Sequence, residues 1–78
     1  MEIKVVGPGC ANCKKLLKTV QEAIKEGNID AQILYVTDMA EIAKTGVLRT
    51  PGLVVDGKVK VSGRLPNIVE VKKILSGV

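Results

Sequence analysis

The residues best suited to chemistry are two cysteines that lie three positions apart near the start of the chain. Cys10 and Cys13 are the only cysteines among the 78 residues, and the sequence contains no histidine. Two sulfurs at this spacing, next to a strand-helix-strand pattern, can form and break a disulfide bond. The same two thiolates could also hold Cu(I). Tetrahedral zinc would need two further ligands that the sequence does not supply, so redox chemistry and soft-metal binding are the open hypotheses.

A purely structural bond between Cys10 and Cys13 is disfavoured by the size of the ring that it would close. A four-residue loop removes only about 2 kcal/mol of chain entropy from the unfolded state. A protein in a compartment where thiols are kept reduced would gain little from such a bond. Two inert thiols are the remaining alternative, and the spacing favours redox chemistry over both soft-metal binding and inert thiols.

The two cysteines are predicted to differ in environment. A helix beginning just after Cys10 would direct unpaired backbone N–H groups and the positive end of its dipole at this sulfur, which favours a thiolate. Lys14 and Lys15 follow within one turn and are predicted to lower the thiol pKa further. Cys13 belongs to the apolar stripe of the helix, together with Leu16. We therefore predict that Cys10 is the attacking nucleophile and Cys13 the resolving cysteine.

Apolar patterns and turn signals along the rest of the chain predict seven elements in one domain, residues 1–78. The expected strands are 2–6, 31–36, 52–55 and 58–62, and the expected helices are 11–26, 38–44 and one opened by Pro66. Gly7-Pro8-Gly9 ends the first strand. A strand-helix-strand start requires a right-handed crossover and a parallel pair, and Asp56-Gly57 predicts a hairpin that joins antiparallel. The result is an α/β fold of order βαβαββα, a four-stranded mixed sheet with helices on both faces.

Two finer expectations concern the middle of the chain. Strand 31–36 ends in a nearly continuous apolar run, which predicts that it is covered on both faces. Asp38 and Glu41 have the spacing of a capping box, which would begin the short second helix. The predicted buried side of that helix consists of Met39, Ile42 and Ala43.

Composition and charge restrict the partners. The net charge is +4, but the lysines are spread along the chain and there is a single aromatic residue, so we predict a solvated surface and no nucleic-acid partner. No apolar run approaches the roughly 20 residues that span a bilayer, and the start of the chain is too short and acidic for a signal peptide. We expect a cytoplasmic monomer that contacts no membrane and needs no bound cofactor or metal.

A second informative segment is Thr50-Pro51, which leads into the predicted hairpin. On base rates alone, this proline would be a trans strand initiator. However, the succession of Cys10, Cys13, Pro51 and Asp56-Gly57 resembles the thioredoxin/glutaredoxin superfamily over essentially the whole chain. It is most similar to the small archaeal and bacterial redox-active disulfide proteins, in which the fold is trimmed to its core.

The resemblance implies a thiol–disulfide oxidoreductase whose substrates are disulfide-containing proteins or small thiols. Electrons would come from an upstream reductase or a low-molecular-weight thiol. In that family the proline is cis and lies beside the disulfide, so Pro51 would shape the site and the backbone of Thr50 would pair with an extended substrate segment. Gly63 resembles the family glycine that lets a substrate backbone come close, although a simple turn glycine is an equally good interpretation.

Several positions depart from the family pattern. Gly9 stands where thioredoxins carry tryptophan, and Ala11-Asn12 replaces their Gly-Pro. Residues 62–65 lack the glycine pair and aspartate through which glutaredoxins bind glutathione, so glutathione is not expected as the substrate. Small copper carriers place a similar cysteine pair in a different element order, which counts against that alternative. A Cu(I) carrier and a non-catalytic binding module that kept the scaffold remain the alternatives to a redox enzyme.

Overall fold

Seven elements follow one another in the order predicted from the apolar patterns. A computed structural model describes residues 1–76. Its strands are β1 (Glu2–Val6), β2 (Gln32–Val36), β3 (Gly52–Val55) and β4 (Lys58–Ser62), and its helices are α1 (Ala11–Gly27), α2 (Met39–Thr45) and α3 (Ile68–Ser76). The predicted α/β fold with a four-stranded mixed sheet is confirmed.

The strands lie in the order β2-β1-β3-β4. β1 pairs with β2 in parallel and with β3 in antiparallel, and β3 and β4 form the predicted hairpin. Asp56 and Gly57 connect the hairpin with φ values of 49° and 83°, the left-handed conformation that a tight two-residue turn requires. The Asp56 carboxylate also accepts a hydrogen bond from the backbone N–H of Glu2 at 2.8 Å.

Helices cover both faces of the sheet. On one side, here called the α1/α3 face, the buried cluster consists of Ile3, Val5, Leu16, Val20, Ala23, Leu53, Val55, Val61, Val71 and Leu75. On the other side, the α2 face, it consists of Val6, Ile42, Val47 and Val54, with Val36 packed against them. The alternation of β1 explains the division, because successive side chains of a strand point to opposite faces.

α1 contains Cys13, is capped by Cys10, and is anchored by its apolar stripe. Cys13, Leu16, Val20 and Ala23 recur every three or four residues and are fully buried. The helix ends at Asn28, which adopts a left-handed φ of 50° and donates its N–H to the carbonyls of Ile24 and Lys25. At 17 residues, α1 is the longest described helix, and none of the helices within residues 1–76 combines the length and apolar character needed to cross a bilayer.

The prediction for the buried side of α2 is wrong at two of three positions. Ile42 is buried, but Met39 is 65% exposed and Ala43 is exposed as well. The reason is Val47, which follows the helix and fills the remaining space on the α2 face beside Ile42. A seven-residue helix with this neighbour needs only one apolar contact of its own.

The capping box predicted for α2 is only half formed. Asp38 caps the helix, since its carboxylate accepts a hydrogen bond from the N–H of Ala40 at 3.1 Å. Glu41 instead pairs with Lys44, with 3.3 Å between carboxylate oxygen and ammonium nitrogen. The helix start therefore depends on Asp38 alone among these residues.

Two further expectations need correction. β2 is an edge strand, and Gln32 and Leu34 are exposed, because α2 covers the sheet only around Val36 and the neighbouring strands. α3 begins at Ile68 instead of at Pro66. Its cap is Asn67, whose side-chain carbonyl accepts the N–H of Glu70 at 2.8 Å.

Candidate active site

Cys10 is the residue that caps α1. Its backbone is extended (φ −68°, ψ 168°), and its Sγ accepts a hydrogen bond from the N–H of Cys13 at 3.3 Å. The Cys10 carbonyl accepts the first helical hydrogen bond, from Lys14 N at 3.1 Å. Because the first N–H groups of a helix lack partners within it, the sulfur of Cys10 takes the place that a serine or aspartate oxygen usually occupies.

The two cysteines are joined by a disulfide bond, with 5.1 Å between their Cα atoms. Cys10 is exposed, whereas Cys13 has no exposed surface and lies on the buried stripe of α1. A partner molecule can therefore reach Cys10 but not Cys13. This is the asymmetry expected from the sequence, while the catalytic role of each sulfur stays a prediction.

Gly7 lies close to both the disulfide and Thr50. A Cβ atom on Gly7 would overlap Cys13 Sγ and would lie 2.9 Å from Cys13 Cβ. The same Cβ would lie 3.7 Å from Cβ of Thr50. The structure thus brings the disulfide and Thr50 close to the same glycine, although they are distant in sequence.

Residues 49–51, here called the Pro51 segment, are hydrogen-bonded to the end of β4. The Thr50–Pro51 peptide bond is cis, and Pro51 is buried. Ser62 Oγ accepts from Arg49 N at 3.3 Å and donates to Arg49 O at 3.4 Å. The N–H of Gly63 donates to the Pro51 carbonyl at 3.0 Å. These bonds fix the segment on the side that faces β4.

Gly63 is a glycine for two structural reasons. Its φ of +79° is in the left-handed region. A Cβ there would also lie 2.9 Å from Cβ and 3.2 Å from Cδ of Arg49. Arg49 therefore occupies the side on which a side chain of residue 63 would project, and a role of Gly63 in substrate binding stays a prediction.

Positive charge accumulates just after the disulfide. Lys14 and Lys15 are exposed in the first turn of α1, which contains no acidic residue. Neither lysine forms an ion pair within residues 1–76.

By contrast, Arg64 forms two hydrogen bonds with Glu70, one of 2.8 Å. This bonding raises the pKa of Arg64 and lowers the pKa of Glu70.

Two residues near the site have positions that the sequence did not indicate. From the sequence, Gly7 is predicted only to end the first strand, and its contact with Cys13 crosses from one element to the next. Leu48, two residues before Thr50, is 92% exposed. A leucine between two apolar segments looks like a core residue, so only the structure places it on the surface beside the Pro51 segment.

The chain is similar to known proteins over almost its whole length. A family model described as a thioredoxin domain matches residues 1–76. A thioredoxin from Methanothermobacter thermautotrophicus is 46% identical over 76 residues, which cover 97% of this chain and 99% of the relative. A thioredoxin from Methanocaldococcus jannaschii is 38% identical over 73 residues, which cover 94% of this chain and 84% of the relative.

Proposed function

Since the chain belongs to the thioredoxin family and is a thiol–disulfide oxidoreductase, we propose that its reaction proceeds through attack by Cys10 and resolution by Cys13. The observation that carries this assignment is the exposure of Cys10 beside a completely buried Cys13 within one disulfide. Attack on a separate protein requires an accessible sulfur, whereas resolution needs only a sulfur that can reach Cys10.

The proposed reaction has two exchange steps. In the first, the Cys10 thiolate attacks one sulfur of a substrate disulfide, the substrate S–S bond breaks, and one substrate thiolate leaves. In the second, the Cys13 thiol loses its proton and its sulfur attacks Cys10 Sγ, which releases the second substrate thiolate. The protein ends with the Cys10–Cys13 disulfide and has given two electrons to the substrate. A reductase or a small thiol then restores the dithiol.

The cap of α1 supports the first step. The N–H of Cys13 donates to Cys10 Sγ, and a hydrogen bond of this kind stabilises a thiolate more than a thiol. The helix N-terminus and the positive charges of Lys14 and Lys15 act in the same direction. We expect the pKa of the Cys10 thiol to lie below about 8.5, the value for a free cysteine.

The substrate is proposed to bind as an extended segment along Thr50 and Pro51. Thr50 lies beside Gly7 and the disulfide, so backbone pairing at Thr50 would bring a substrate sulfur close to Cys10. The Pro51 carbonyl already accepts a bond from Gly63, which holds the segment in place for this pairing. Disulfide-containing proteins and an upstream reductase are the proposed partners, with the protein acting as a cytoplasmic monomer without a bound cofactor.

Mixed-disulfide trapping tests the two roles. In a Cys13→Ser variant, Cys10 can still attack, but the second step is blocked, so a partner should remain covalently attached until a reductant is added. The matched Cys10→Ser variant should trap nothing. Non-reducing electrophoresis of each variant after reaction with a disulfide-bonded protein such as insulin gives the result. Trapping by Cys10→Ser but not by Cys13→Ser would reverse the assignment.

A redox titration tests the activity itself. Thiol alkylation after equilibration at fixed potentials should show one reversible two-electron transition, between about −270 and −120 mV for proteins of this kind. Replacement of either cysteine should abolish it. Stoichiometric Cu(I) binding without such a transition would instead identify a metal carrier.

A further inference from the structure

We propose that Gly7 is a positioning residue for Cys13. Because Gly7 has no side chain, Cys13 can lie where its sulfur resolves the mixed disulfide quickly. The inference rests on the proposed function, because it assigns Gly7 a part in the second exchange reaction. Gly7 follows β1 directly and is buried, and a buried position just past a strand does not by itself require glycine. What explains it is the sulfur that lies against it.

The contact leaves no room for a side chain. A Cβ on Gly7 would overlap Cys13 Sγ and lie 2.9 Å from Cys13 Cβ, closer than real Cβ contacts come. Cys13 Cβ is fixed to the helix backbone, and only the torsion about its Cα–Cβ bond can move the sulfur. Rotation that cleared Gly7 would carry Sγ away from its present place beside Cys10.

The backbone of Gly7 cannot move away easily either. Its N–H donates to the Val36 carbonyl at 2.9 Å, which continues the parallel pairing of β1 and β2 by one residue. Thr50 Cβ would also lie 3.7 Å from a Cβ on Gly7, in ordinary contact, so Thr50 limits how far the new Cβ could shift away from Cys13. A larger residue would have to displace Cys13, break the pairing with Val36, or push Thr50 outward.

The requirement for glycine at this position is steric. The described glycines with a left-handed φ are Gly9, Gly46, Gly57 and Gly63. Gly7 is outside that group, so its backbone is one that any residue can adopt. Gly57 is the converse case, with a φ of 83° and no atom within 4 Å of a Cβ. The pair therefore separates a glycine needed for space from a glycine needed for its backbone conformation.

The consequence for the reaction follows from geometry. Cys13 Sγ must approach Cys10 Sγ in line with the bond between Cys10 and the substrate. A shift of about 1 Å in a reacting atom can slow a step by about a hundredfold. Gly7→Ala should therefore slow resolution about ten- to a hundredfold, while attack by the exposed Cys10 stays within about twofold of the wild type.

Single-turnover kinetics with the aromatic disulfide dithiobis(nitrobenzoate) resolve the two steps. The reduced protein releases the first coloured thiolate when Cys10 attacks and the second when Cys13 resolves the mixed disulfide. In Gly7→Ala the second phase should be slowed selectively. Gly57→Ala, which loses stability through backbone strain at the distant hairpin, should retain both rates. A merely structural role of Gly7 would leave the ratio of the two phases unchanged, and that result would overturn the proposal.

A double variant covers the case in which Gly7→Ala does not fold. Cys13→Ala removes the sulfur that the new Cβ would meet, so Gly7→Ala should be better tolerated in a Cys13→Ala background, as measured by circular dichroism during urea unfolding. Equal destabilisation in both backgrounds would overturn the proposal. The failure of the proposed function has a different signature, because the wild type itself would then release no second thiolate.

Discussion

On the α1/α3 face of the sheet ten buried side chains form one cluster, whereas the α2 face has four. The first cluster is built by two helices of 17 and 9 residues and the second by one helix of 7 residues. Burial of apolar surface is the main source of stability in a domain of this size. The two faces therefore contribute very unequally to the free energy of unfolding.

The active site takes one part from each face. Cys13 belongs to the buried stripe of α1, so the disulfide is held by the larger cluster. The Pro51 segment continues into Gly52, and a Cβ on Gly52 would lie 2.5 Å from Cγ1 of Val47, a member of the smaller cluster. In the proposed mechanism, the disulfide therefore depends on the α1/α3 face, while the segment proposed to present the substrate depends on the α2 face.

Truncation of one core residue on each face gives the largest expected effects. Leu16→Ala should cost near the upper end, and Ile42→Ala near the lower end, of the range of about 2–5 kcal/mol for such cavities. The smaller cluster can collapse more readily around the lost atoms. A chain of this length has roughly 4–12 kcal/mol of stability in total, so Leu16→Ala should remove a large part of it. Urea unfolding followed by circular dichroism measures both.

The comparison between faces would fail if Ile42→Ala proved as costly as Leu16→Ala. Leu16 is fully buried and Ile42 is 5% exposed, so their initial burial is closely matched and the difference lies in the size of the surrounding cluster. The variants also differ in their expected effect on the site. Ile42→Ala should loosen the Pro51 segment, because Ile42 packs in the same cluster as Val47, and the protein should remain folded.

Overfilling the contact between Gly52 and Val47 gives an intermediate effect. In Gly52→Ala the new Cβ would meet Val47 and lie 3.2 Å from the Val61 carbonyl, a backbone atom that cannot rotate away. Overpacking of this kind costs about 1–3 kcal/mol. We expect slower reduction of insulin disulfides as well, because the displaced Gly52 adjoins Pro51.

A matched control for Gly52→Ala is Gly57→Ala. Its φ of 83° makes a side chain unfavourable by about 1–2 kcal/mol, but it lies in the hairpin turn away from the disulfide. It should lose comparable stability and keep the wild-type rate of insulin reduction. Equal rates in the two variants would show that the Pro51 segment does not depend on packing at the α2 face.

The sequence could predict the element order because each signal is local. Alternation in β1, the three- and four-residue spacing in α1 and Asp56-Gly57 each determine a conformation within a few residues. The buried side of α2 could not be predicted in this way. It depends on Val47, which lies beyond the helix end and reaches the sheet only because the chain turns at Gly46 with a φ of 87°.

The two cysteines of the site and the difference in their exposure could be predicted from the sequence, but the residues that surround them could not. Cys10 and Cys13 reveal their difference through helical periodicity, which separates an exposed first residue from a buried stripe. The contact of Gly7 with Cys13, and the placing of Arg49 against Gly63, arise where different elements meet. Such contacts have no periodic signal in the sequence, because they are fixed by how helices and strands pack.

The smallest expected effect concerns the ion pair between Arg64 and Glu70, which connects the segment after Gly63 to the first turn of α3 on the α1/α3 face. The hydrogen bond from Arg64 lowers the pKa of Glu70 below its usual 4.5. A carboxylate with a lowered pKa stabilises the folded state above its usual pKa, and this stabilisation is lost as the pH falls through the lowered value. Arg64 is exposed and Glu70 is partly exposed, so Glu70→Gln should lower the Tm only slightly at about pH 7, and the difference from wild type should shrink as the pH falls below 4.5. Glu41→Gln, which removes the pair with Lys44 on the α2 face, is the control for a general effect of charge. A difference for Glu70→Gln that persists unchanged at the lower pH would show that the ion pair does not hold this segment to the larger cluster.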